Sequence, residues 1–118
     1  MGIISQEGEA YEDTIIDENI QGGKYYMGSY TLQWSIDLSS NEITLNLANR
    51  PDLGTKVISK KNLEAEFHVD SPRHKILHAK ISGNFDSNQL LLNGYVKFVM
   101  LNHKWKRVRY ENIILTSW

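Results

Sequence analysis

The chain contains no cysteine. Disulfides, thiol catalysis and cysteine-based zinc sites are therefore excluded, and the fold must rest on its apolar core. No apolar run approaches the roughly 20 residues of a membrane-spanning helix. The opening Met1-Gly2-Ile3-Ile4-Ser5-Gln6 lacks the basic and apolar stretches of a secretory signal. With Ser5 and Gln6 where they stand, it is not a myristoylation signal either. These absences set the expectation of a soluble, cytoplasmic protein without a membrane partner. Glycine-rich phosphate loops are lacking too, since Gly22-Gly23 and Gly28 precede a strand rather than a helix. No inward carboxylate pair or Ser–His–acid set emerges from the spacing, so a non-catalytic protein is preferred to a small enzyme, and no cofactor is expected.

What is present is enough for one domain: 118 residues, 41% apolar and 23% charged. The near-zero net charge hides a division. Residues 1–70 carry twelve acids and five bases, whereas residues 71–118 carry eight bases and two acids. Such a split points to an internal electrostatic fit or to an anionic partner for the basic half.

Residues 1–23 are acidic, and Tyr11, Ile15, Ile16 and Ile20 can form the stripe of a short helix. A strand or a loosely held arm fits the same stretch, and Gln21-Gly22-Gly23 punctuates it. From residue 29 onward the apolar period is two. Tyr30, Leu32, Trp34, Ile36 and Leu38 alternate with polar residues, then Ile43, Leu45 and Leu47, then Leu63, Ala65, Phe67 and Val69. Val57-Ile58 reads as a short edge strand. Strands follow over about 77–85, 90–102 and 105–116, separated by turn formers.

Register can be tested by pairing. A three-residue loop through Pro72 sets Phe67 opposite Leu77, Ala65 opposite Ala79 and Leu63 opposite Ile81. Glu64 then faces Lys80 and Glu66 faces His78 on the other side of the sheet. At the C-terminal hairpin, Met100 opposes Val108, Phe98 opposes Tyr110 and Lys97 opposes Glu111. The expected architecture is all-β: an antiparallel meander spanning 29–118, closed as a small calycin-like β-barrel or folded as a two-sheet sandwich, with a short N-terminal helix or arm. Gly28-Ser29-Tyr30 leading into the first alternating strand broadly resembles the opening of calycin-type barrels such as lipocalins and avidins. Tyr30 stands at the aromatic position of the lipocalin Gly-x-Trp opening, and no functional residue is carried over.

Several residue sets could carry function. Tyr30, Trp34, Phe98, Tyr110 and Asn112 point inward, and a buried amide among aromatics suits a small apolar or sugar-like ligand at a barrel mouth. Leu91, Tyr95, Val99, Leu101 and Ile113 form an apolar stripe on the outer face, which suits an inhibitor or assembly subunit, including a homodimer. His103, Lys104, Lys106, Arg107 and Arg109 surround Trp105 and suit an anion, or docking of the acidic N-terminal segment. Nucleic acid is a weak expectation at a pI near 6.4. His68, His74, His78 and His103 lack a tight ligand motif, so no metal site is expected. The leading reading is a ligand-binding domain, with the protein-interaction module as the alternative.

Overall fold

The computed structural model describes residues 19–71 and 75–118. Eight strands run in chain order: β1 (Ile20–Met27), β2 (Tyr30–Asp37), β3 (Glu42–Leu47), β4 (Lys56–Ile58), β5 (Glu64–Ser71), β6 (Lys75–Asn84), β7 (Gln89–Val99) and β8 (Trp105–Ser117). They form two antiparallel sheets, β1-β2-β3-β4 and β5-β6-β7-β8. One 3-10 turn, Pro51–Leu53, interrupts the first. Among the described residues no helix is long and apolar enough to cross a membrane.

The all-β reading holds, and the two-sheet arrangement replaces the closed barrel. A barrel would need ladders from β4 to β5 and from β8 to β1. β4 is only three residues long, and a tight turn bridged by Ser59 and Asn62 carries the chain into the other sheet. On the opposite side, the rings of Tyr25 and Tyr110 stand edge-to-face between β1 and β8, with centroids 6.0 Å apart. Side chains fill the gap that backbone hydrogen bonds would have to close.

Alternation explains the layers. Leu32, Trp34 and Ile36 on β2 lie beside Leu47, Leu45 and Ile43 on β3. In the second sheet Phe67, Ala79 and Gly94 form one inward row with Tyr110. The two inward faces merge into one buried cluster. Each large apolar side chain buried there contributes about 1.5–3 kcal/mol relative to exposure. Lys56 occupies an inward position at the border, and its Nζ reaches out over the Phe67 ring at 5.5 Å.

The expected N-terminal helix falls mostly outside the described residues, including Tyr11, Ile15 and Ile16. Ile20 through Gly23 are the start of a strand. Gly22-Gly23 therefore does not break the chain. An ideal Cβ on Gly23 would lie 2.5 Å from Cζ2 of Trp34, its neighbour in register. The glycine is where an indole crosses the adjoining strand.

Two hairpins, one in each sheet, use the same turn. In β2–β3, Asp37 Oδ1 accepts from the backbone N–H groups of Ser39 and Ser40, and Asn41 closes the loop at φ 56°. In β6–β7, Asn84 Oδ1 accepts from those of Asp86 and Ser87, and Asn88 closes it at φ 55°. Asx residues favour such local acceptance, and asparagine tolerates the left-handed region. Leu38 and Phe85, the first loop residues, both pack against the core.

Candidate ligand site at the hairpin end of the sandwich

One end of the sandwich gathers the β1–β2 turn, the start of β6 and the β7–β8 hairpin. Gly28 at φ 62°, followed by Ser29 between paired Met27 and Tyr30, makes a two-residue turn of the type that suits twisted strands. Beneath it lies a cavity of about 350 Å³ lined by Gly28, Ser29, Lys75, Val96, Phe98 and Val99. Among the described residues the walls are apolar apart from one ammonium and one hydroxyl. Lys75 Nζ donates to Ser29 Oγ and lies 5.8 Å from the centroid of Tyr30. Those contacts hold a cation at the rim.

Of the five expected ligand residues, only Phe98 lines this cavity. Tyr30, Trp34 and Tyr110 belong to the filled core. Burial, and the neighbouring Tyr25, hold the Tyr110 phenol above its ordinary pKa. Asn112 is not inward: it is exposed, at φ 50°, and its N–H donates to Asn93 Oδ1 at 2.9 Å. The cause is a β-bulge. Between the pairs Gly94–Tyr110 and Leu92–Ile113, Glu111 and Asn112 together oppose the single Asn93. A second irregularity separates Leu91–Ile114 from Leu90–Thr116. The extra residue at Asn112 reverses the alternation, so Ile113 turns inward and packs on the core. Sequence reasoning missed Lys75, whose only signal was a lone cation opening a strand.

The outer apolar stripe is thereby broken. Leu91 and Tyr95 remain outward and half-buried, and Leu91 pairs with exposed Ile114. Tyr95 sits in a row with His68, His78 and Arg109, and Lys97 Nζ lies 5.5 Å from its ring centroid. Leu63, expected inward, is exposed ahead of β5. The rings of His68 and His78 lie 5.5 Å apart, tilted by 38°, and His78 Nε2 meets Glu66 Oε1 at 2.9 Å. That hydrogen bond holds the Glu66 carboxyl below its usual range. Among the described residues no cluster of three or more metal-ligating side chains occurs. His74 lies outside them.

The basic set divides between the two faces of β8. Arg107 and Arg109 point outward, opposite Lys97 and Tyr95, while Lys106 opposes inward-facing Phe98. Arg109 meets Glu111 at 3.6 Å. His103 and Lys104 lie in the hairpin turn. A surface cleft of about 420 Å³ gathers Ile76, Lys97, Trp105, Lys106 and Arg107. Val99 and Leu101 fall at the same end, in a cleft of about 440 Å³ with Phe98, Met100 and Asn102.

Comparison with protein-family models, curated proteins and solved structures finds no match for this chain.

Proposed function

We propose that this chain is a non-catalytic binding domain that takes a small apolar ligand, carrying an acceptor or anionic end, into the cavity at the hairpin end. The observation that carries the reading is an apolar cavity of about 350 Å³ with a fixed lysine at its rim. Apolar walls with few polar handles are the usual composition of small-molecule sites, and the volume lies within their ordinary range. A sugar is less favoured, because Trp34 and Tyr30 are committed to the core and, among the described residues, Phe98 is the only ring on the wall.

Native mass spectrometry of the protein purified from its own host tests this, with medium-chain carboxylates as added probes. A non-covalent adduct, or a carboxylate-induced rise in melting temperature, is expected. Val99→Trp should abolish it by filling the cavity, and Lys75→Ala should weaken it. No adduct and no carboxylate binding would remove the reading. The alternative, a protein-interaction module, draws on one observation: Leu91 and Ile114 adjoin on the outer face. A monomer at high concentration, with no partner burying Ile114, would count against it.

A further inference from the structure

We propose that the β7–β8 hairpin end docks on an anionic lipid bilayer, Met100 and Leu101 entering the acyl boundary while the flanking cations meet headgroup phosphates. This rests on residues around the hairpin and does not require the cavity to be filled.

Four observations converge. Leu101 is fully exposed at the apex and Met100 is 43% exposed. The turn holds them outward: Met100 N–H donates to Lys104 O, His103 N–H donates to Met100 O, and His103 takes φ 63°. Trp105, 46% exposed, begins the returning strand. An indole there has the amphipathic character found where hydrocarbon meets headgroups.

The hairpin itself carries charge of one sign, with Asp70 two strands away in the row of Ile76, Lys97 and Arg107. Residues 87–110 contain no acidic residue. Lys97 and Arg107 are directly opposite each other across β7 and β8, and neither takes part in an ion pair among the described residues. Like charges so placed repel; a phosphate between them relieves the repulsion. Both line the cleft with Trp105 and Lys106, and Lys104 adjoins it in sequence.

The apolar apex decides between anionic partners. A nucleic-acid strand would use the cations and Trp105 but leave Leu101 and Met100 in water. A bilayer surface uses all of them, since apolar insertion and attraction to anionic lipid add. Peripheral docking needs no spanning segment.

The full chain is mixed with phosphatidylcholine vesicles, alone or with about 30% phosphatidylserine, and sedimented at low and high salt. We expect binding at least about tenfold tighter to the anionic vesicles, falling steeply with salt. Leu101→Asp should reduce it about tenfold, and Lys97→Ala or Arg107→Ala about fivefold each. Leu101 and Arg107 are exposed and Lys97 is half-buried, and all three variants should keep the wild-type circular dichroism. Equal sedimentation with neutral and anionic vesicles would overturn the proposal. So would wild-type affinity in Leu101→Asp, or displacement from vesicles by a single-stranded oligonucleotide at equal phosphate concentration.

Discussion

The indole of Trp34 lies over Gly23 so closely that a methyl group there would fall 2.5 Å from Cζ2. The contact lies on β1, the edge strand of its sheet, which does not pair with β8. Gly23→Ala should therefore destabilise the domain by about 1–3 kcal/mol through overpacking. Gly22→Ala is the control: its Cβ would meet only Trp34 O, at 3.5 Å. Urea denaturation should show a lowered midpoint for the first substitution and little change for the second.

Tyr110 carries a pH dependence of defined sign. Burial holds its phenol above the ordinary value, so the neutral form is favoured in the folded state. The associated stability is complete below the unfolded-state pKa and is lost as pH rises through the folded one. Tyr110→Phe should flatten this alkaline loss. Relative to Tyr110→Phe, the wild-type urea midpoint should fall increasingly as pH rises through the alkaline range.

The bulge at Asn112 depends on a left-handed backbone. Asn112→Val should cost about 1–2 kcal/mol, because a β-branched residue is strained at φ 50°. Asn112→Gly should be close to neutral in thermal unfolding. Asn93→Ala should destabilise moderately by removing the acceptor of the Asn112 N–H.

Asp37 and Asn84 do the same work in two turns. The Ser39 hydroxyl and backbone N–H hold the Asp37 carboxyl below its ordinary range. Its contribution is present above the unfolded-state pKa and is lost as pH falls through the folded one. Asp37→Asn should keep the turn, as Asn84 keeps its own, and remove this acid-side dependence. Thermal unfolding across the acidic range checks both parts.

Faces were legible from the sequence where register was not. β5 and β6 pair Phe67 with Ala79, two residues from the expected Leu77. A shift of two leaves every side chain on its own face, so apolar matching could not detect it. Charge matching failed for a related reason. Glu64–Lys80 at 3.0 Å and Glu66–His78 at 2.9 Å both form, but as diagonal contacts, since long side chains bridge either register. At the C-terminal hairpin Phe98 pairs with Lys106 instead of Tyr110, and Lys97 with Arg107 instead of Glu111. The turn centres on Asn102 because His103 adopts the left-handed conformation, so β7 stops at Val99 rather than at Asn102. Asn112 and Ile113 were misplaced because one inserted residue reverses a period of two, and composition does not mark it. The cavity depends on Lys75 approaching Ser29 from the other sheet, a proximity that no local pattern records.

The final strand is also the outermost rail of its sheet, thirteen residues with Lys106, Arg107 and Arg109 in its first half and two irregularities in its second. A second molecule trying to extend the ladder from that border would meet repulsion first and then a rail that changes pitch twice. Filament growth is thereby discouraged at its first step, even though the layers never close into a ring.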